Sequence, residues 1–211
     1  MKKKVIIVDY GLGNIVSAQQ SFLKTVHDNN FDADVIISKK PSEIYTSSHI
    51  VLPGQGAFES CMDGLKNISG MIEALEVRVL NNKVPFLGIC IGMQLLADKG
   101  FEKGTHQGLG WIKGSIKKLK VNNLKLPHMG WNNVEIINNS FKMAFTQQNK
   151  DFYFVHSYFF DCFNNNNIIG STNYGLNFPS IVGKENIYGV QFHPEKSSEQ
   201  GLQLIKNFLS L

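Results

Sequence analysis

Residues 84–96 read Val84-Pro85-Phe86-Leu87-Gly88-Ile89-Cys90-Ile91-Gly92-Met93-Gln94-Leu95-Leu96, an apolar run, then a cysteine between two glycines, then a helix-like segment reaching Asp98. The pattern predicts a buried strand, a sharp turn at Cys90 and a helix. A side chain at such a turn is pushed out above the sheet edge, and flanking glycines let backbones approach where a Cβ would collide. The helix expected after it would aim free N–H groups and its positive end at the sulfur, which favours thiolate.

Working outward from this elbow, strands are expected at Val5–Val8, Val35–Ile37, Ile50–Leu52 and Pro85–Ile89. Between the first two, Ile15, Ala18, Phe22 and Val26 recur at helical spacing with Asn14 as N-cap candidate. Ile72, Leu75 and Val79 do the same before the elbow strand. Alternating strand and helix signals predict a mostly parallel sheet flanked by helices, an α/β fold. After Gly114 the pattern changes to short alternating segments: Ser115–Val121, Val134–Ile137, Phe152–Tyr158, Ile168–Thr172, Ser180–Gly183 and Tyr188–Phe192. These predict a smaller antiparallel β portion in the C-terminal half. A closing helix should carry Leu202, Ile205 and Leu209 on one face. Asn138-Asn139 and Asn164–Asn167 read as turns.

With 211 residues the chain suits a single domain spanning 1–211. The net charge of +4 comes from scattered lysines with no aromatic-interleaved basic stripe, so a nucleic-acid face is not expected. Three cysteines without metal-type spacing argue against a disulfide framework or a zinc site and for a reducing, cytoplasmic setting. Lys2-Lys3-Lys4 resemble the start of an export signal, but Asp9 interrupts the short apolar stretch behind them. No apolar run approaches the ~20 residues of a membrane span. Asp9-Tyr10-Gly11-Leu12-Gly13-Asn14 meets only two positions of a dinucleotide fingerprint, because Val16 stands where the third glycine belongs. A tight turn at the sheet's carboxyl edge is expected there instead, and no cofactor.

A nucleophilic cysteine needs a base, and the base needs an orienting group. His193-Pro194-Glu195, at the end of a predicted strand, supplies both, since residues two apart in extended chain project to the same side. Cys90, His193 and Glu195 form a candidate triad. Attack on a carbonyl also needs two donors for the oxyanion. The backbone N–H of Ile91 is one; the loop Leu52-Pro53-Gly54-Gln55-Gly56-Ala57, around Gln55 and Gly56, is the expected source of the other. His27, His49 and His106 read as structural or exposed. His128 and His156 sit in segments that can border a site, with a satisfied structural role expected for each.

These motifs, with Pro127-His128-Met129-Gly130-Trp131-Asn132, Phe154-Val155-His156-Ser157-Tyr158 and Gln191-Phe192-His193-Pro194-Glu195-Lys196-Ser197, give the chain a resemblance over nearly its whole length. It resembles the class I, triad glutamine amidotransferases, and among them the HisH-type glutaminase subunits of imidazole glycerol phosphate synthases. The resemblance implies hydrolysis of L-glutamine to glutamate and ammonia through a cysteinyl thioester, without metal. It implies substrate contacts at Gln94, Gly56, Ser157 and Tyr158. It further implies a heterodimer with a (β/α)₈-barrel cyclase, docked near Asn14, Met129, Trp131, Asn132 and Lys196, that uses the ammonia to make imidazole glycerol phosphate and an aminoimidazole carboxamide ribotide. Two alternatives stay open: a glutaminase serving a sugar-modifying amidotransferase, and a catalytically silent regulatory subunit.

Overall fold

The computed structural model describes residues 2–138 and 150–211. Its strands are β1 (Lys3–Val8), β2 (Ala33–Ser38), β3 (His49–Gly54), β4 (Phe86–Cys90), β5 (Lys99–Gly100), β6 (His106–Gln107) and β7 (Gly114–Lys118). Then follow β8 (His128–Ile136), β9 (Lys150–His156), β10 (Tyr158–Cys162), β11 (Ile168–Asn173), β12 (Asn177–Lys184) and β13 (Ile187–Val190). The helices are α1 (Ile15–Asp28), α2 (Pro41–Tyr45), α3 (Phe58–Lys66), α4 (Met71–Glu76), α5 (Ile91–Gln94) and α6 (Ser198–Leu209).

Among the described residues the main sheet runs β2-β1-β3-β4-β13-β12-β11-β8-β9, parallel from β2 through β13 and antiparallel beyond. Runs such as Val5–Val8 and Ile50–Leu52 are wholly buried because helices cover both faces of the parallel part. A second sheet, β10-β7-β5-β6, caps one end. The expected parallel core with a later antiparallel portion is what the chain adopts. No helix among the described residues is long and apolar enough to cross a membrane.

Several local expectations need correction. The segment expected as one strand to Tyr158 breaks at Ser157, and β10 leaves for the second sheet. Asn14 occupies the N-cap position of α1 but its side chain makes no capping bond. The α4 stripe continues through a π-helical turn, Val77–Asn81, that still buries Val79. On α6 the buried face is Gly201, Leu204, Ile205, Phe208 and Leu209, with Leu202 only half-buried. Asn139 of the expected Asn138-Asn139 turn lies outside the described residues.

The N-terminal glycine turn sits where expected, at the carboxyl end of β1, with Gly11 at φ 89° and Gly13 at φ 127°. Tyr10 from this turn donates to the Pro53 carbonyl at 2.7 Å, tying β1 to the end of β3. At the elbow, a Cβ on Gly92 would stand 1.8 Å from the Leu52 carbonyl oxygen, and one on Gly88 2.5 Å from the Gly92 carbonyl oxygen.

Three histidines are buried without a charged partner. His49 packs edge-on against Phe208, and burial holds its imidazole down to about 4. His128 and His156 face each other across the β8–β9 ladder, and burial holds them at about 4 and about 3.

Gly92→Ala is expected to destabilise the protein by about 3 kcal/mol or more, since only backbone movement relieves the clash; a urea midpoint close to wild type would contradict this packing. The depressed imidazoles predict acid sensitivity. Each unfolded histidine binds a proton near pH 6.5 while its folded form resists, so their stabilisation is complete above that pH and is lost as pH falls toward 4. Urea midpoints measured from pH 7.5 to 4.5 should fall steeply in that window, and His49→Gln should flatten the slope by about one proton.

Candidate active site

Three neighbouring parallel strands end together. In the ladder Gly54 lies opposite Cys90 on one side of the elbow, and Val190 lies opposite Ile89 on the other. The loop after β3, the elbow after β4 and the segment after β13 therefore converge at the carboxyl edge of the sheet. Cys90 takes φ 55° and ψ −110°, a strained conformation for a side chain with a Cβ, and is 4% exposed. The expected helix to Asp98 is cut to the single turn Ile91–Gln94. The reason is competition: the carbonyls of Leu95, Leu96 and Ala97 accept from Leu109, Ile112 and Gly110 of the following loop rather than from further helical N–H groups. So short a turn has little dipole, and activation of the thiol falls to side chains.

The strand expected to run to Phe192 stops at Val190. His193 is extended, at φ −102° and ψ 98°, and Pro194–Lys196 then coils into a 3₁₀ turn. The turn, rather than strand alternation, brings Glu195 back under the imidazole, with Nδ1 2.8 Å from Oε1 and both side chains buried. The carboxylate accepts from Nδ1–H, so Nε2 is left to face the thiol. Among the described residues that Nε2 has no hydrogen-bond partner. Burial pulls the imidazole toward neutrality, but its interactions with Cys90 and Glu195 outweigh this and push His193 up to about 10. The turn is laced to β9. The Ser197 hydroxyl donates to the His193 carbonyl at 2.6 Å and accepts from the Tyr153 N–H, while the His193 N–H donates to the Tyr153 carbonyl. Burial pushes the thiols of Cys61 and Cys162 up, away from the reactive form.

A cavity of about 260 Å³ opens over the sulfur. Cys90, Ile91, Gln55, Gly56, Gln94, Ser157, Tyr158 and His193, all singled out in the sequence, line it. Glu195 stands behind His193. The Cys61 thiol donates to the Gln55 carbonyl at 3.5 Å, which turns the Gly56 N–H of the same trans peptide to the opposite side.

Both N–H groups of the Gln94 amide are occupied, by the Tyr158 carbonyl at 3.1 Å and by Gln191 Oε1 at 3.0 Å. Gln94 therefore has only its oxygen to offer a ligand. Tyr158 is also held from His156, and the acceptor-only carbonyl settles two tautomers. His156 Nδ1–H donates to it at 2.9 Å, His156 Nε2 accepts from His128 Nδ1–H at 2.9 Å, and His128 Nε2 accepts from the Asn132 amide at 3.1 Å. Neutral imidazoles are required throughout, in keeping with their depressed pKa values.

Sequence reasoning missed Glu102, Pro127 and Val155 on the cavity wall, and Gln191 behind it. Glu102 carried no signal at all; its place there depends on its carboxylate accepting from the Phe58 N–H at 2.9 Å. Gln191 was detectable, because it stands two residues before His193. The residues expected at a partner surface lie elsewhere. Met129 and Trp131 are 61% and 53% exposed on β8. Trp131 meets the Tyr153 ring edge-on at 6.1 Å, and the Lys196 ammonium lies 5.8 Å from the same ring. Asn132 reaches inward to His128, and Asn14 stands at the N-terminal end of α1 without a capping bond.

The family model of class I glutamine amidotransferases matches residues 6–211. The chain is 43% identical to imidazole glycerol phosphate synthase subunit HisH of Pelagibacter ubique, over 98% of its own length and 99% of that protein. It is 42% identical to the subunit of the same name from Rhodospirillum rubrum, over 98% of both. Solved structures of a glutamine amidotransferase from Thermotoga maritima (TM-score 0.67, 19% identity, 95% of this chain and 79% of that one) and another from Methylobacillus flagellatus (TM-score 0.61, 16% identity, 94% and 72%) share its fold. From its elbow to its closing helix, this chain belongs to the class I glutamine amidotransferases, and among them to the HisH type.

Proposed function

We propose that the whole chain acts as one glutaminase domain that hydrolyses L-glutamine to glutamate and ammonia. The observation that carries this is the buried His193–Glu195 pair set beside Cys90, at the foot of a cavity smaller than a typical drug site and suited to an amino acid. His193 Nε2 takes the thiol proton, and the sulfur electron pair attacks the side-chain amide carbon. The resulting oxyanion is held by backbone N–H groups of Ile91 and of the Gln55–Gly56 loop. Collapse breaks the C–N bond as imidazolium protonates the leaving nitrogen, which departs as ammonia and leaves a γ-glutamyl thioester. Water, deprotonated by His193, then attacks the thioester through a second oxyanion; the C–S bond breaks as the imidazolium returns its proton to sulfur, and glutamate is released. Glu195 orients the ring and stabilises its charged form. The Gln94 oxygen and the Glu102 carboxylate are acceptors suited to the substrate's ammonium group, and Ser157 and Tyr158 close the other wall.

The names of the relatives support the further reading that the ammonia passes to a (β/α)₈-barrel cyclase in a heterodimer serving histidine biosynthesis. Exposed Met129 and Trp131, with Lys196 one residue beyond Glu195, offer that partner an apolar patch joined to the catalytic turn.

Purified chain with the cyclase and its nucleotide ligand should release glutamate much faster than chain alone; absence of stimulation would overturn the pathway reading. Cys90→Ala should abolish glutamate release while the complex still uses added ammonium. Glu195→Gln should lower kcat by roughly 10²-fold or more. In an isotope-edited titration it should also move the His193 midpoint down from about 10. Because that folded value lies above the unfolded one, the stability lost in Glu195→Gln should be largest below about pH 6.5 and vanish as pH rises through 10. A variant with wild-type kcat would remove Glu195 from the triad.

A further inference from the structure

Gln191 is a wholly buried amide that the triad does not use. It follows directly on Val190, which pairs with Ile89, so it lies alongside Cys90 at the end of the neighbouring strand. Its backbone N–H donates to the Ser180 carbonyl at 2.9 Å. Its side-chain oxygen accepts from Gln94 at 3.0 Å, and that bond determines which way the amide faces, because Gln94 Nε2 has only donors to give. The opposite end, Nε2–H, is thereby aimed at Cys90 Sγ at 3.7 Å. The Val155 carbonyl oxygen lies 4.0 Å from the same sulfur. A buried amide with both ends engaged, one of them on the nucleophile, is more than a satisfied core polar group.

We propose that Gln191 is a positioning residue for the nucleophile: locked by Gln94, its amide N–H holds the Cys90 sulfur and stabilises the thiolate between proton transfer and attack. When Sγ gives its proton to His193 Nε2, sulfur becomes an acceptor only, and the waiting N–H becomes a charge-assisted donor to it. The donation ends when the sulfur electron pair forms the C–S bond, so the interaction favours the state just before attack. The same lock ties the sulfur to the Tyr158 carbonyl through Gln94, and thus to the wall of the cavity.

The proposal rests on the glutaminase reading for its kinetic part only. Alkylation of Cys90 by iodoacetamide at pH 7, followed by peptide mass mapping that separates it from Cys61 and Cys162, needs no substrate and no partner. Gln191→Met keeps the length and removes the donor. We expect alkylation of Cys90 to slow by about 10-fold and kcat to fall by a similar factor, with KM for glutamine within about 2-fold. Ammonium-dependent synthesis by the complex should be unchanged. Gln191→Glu keeps an oxygen for Gln94 but sets a carboxylate against the sulfur, and should slow both reactions further; it serves as the test if the Met variant does not fold, as judged by its thermal midpoint. Wild-type alkylation rates in a folded variant would overturn the proposal. So would a raised KM at unchanged kcat, which would mean that Gln191 merely shapes the cavity through Gln94. If wild-type chain failed to hydrolyse glutamine, the proposed function would fall while the alkylation result still decided the role of Gln191.

Discussion

The backbone of the elbow and the end of β3 approach so closely that no side chain fits between them, and the active-site geometry follows from that approach. Gly92 lies against the Leu52 carbonyl, and Gly88 lies under Gly92. With this space closed, the chain leaves β4 at an angle that forces Cys90 to φ 55° and lifts its sulfur clear of the sheet. The strain of that conformation is held by parallel pairing on both sides, with β3 and with β13. Those same two strands deliver the Gln55–Gly56 loop and the His193 segment. One packing constraint therefore sets both the Cys90 sulfur and the two segments that face it.

Around that elbow the protein prepares imidazoles in opposite ways. His193 and His156 are both buried, yet one is driven up to about 10 and the other down to about 3. Burial acts on both in the same direction, so the difference comes from partners. His193 has a carboxylate and a thiol, each able to balance a positive ring. His156 has a carbonyl and a second imidazole, and that imidazole would repel a second charge. A ring that changes charge sits beside the sulfur. A neutral, hydrogen-bonded pair stiffens the segment that carries Ser157 and Tyr158.

The order of strand and helix signals in the first half made the parallel sheet legible, because buried strands read as continuous apolar runs and helices as 3.6-residue stripes. The elbow was legible because Gly-x-Cys-x-Gly after such a run has few other structural uses. What escaped was set by tertiary competition. The helix after Cys90 runs four residues further in the sequence pattern, to Asp98, than the turn that forms, since nothing local signals that residues 109–112 will take its carbonyls. His193 and Glu195 meet for a different backbone reason from the strand alternation that the spacing predicts: Pro194 starts a 3₁₀ turn. Glu102 reaches the cavity from a loop whose sequence has no periodicity, and only the Phe58 N–H it caps explains its position.

The Pro194–Lys196 turn is tied on both sides to β9. His193 and Ser197 are bonded to Tyr153 on β9, and the Tyr153 ring lies between Trp131 and Lys196 on the outer surface. That surface cluster is joined to the backbone of His193 through one strand and one hydroxyl. The chain of hydrogen bonds to the cavity wall is separate and runs from Asn132 through His128 and His156 to Tyr158. Both begin on β8, at residues 131 and 132, whose side chains leave the strand on opposite faces. A partner seated on β8 would therefore meet one line of contacts leading to His193 and another leading to Tyr158 on the cavity wall.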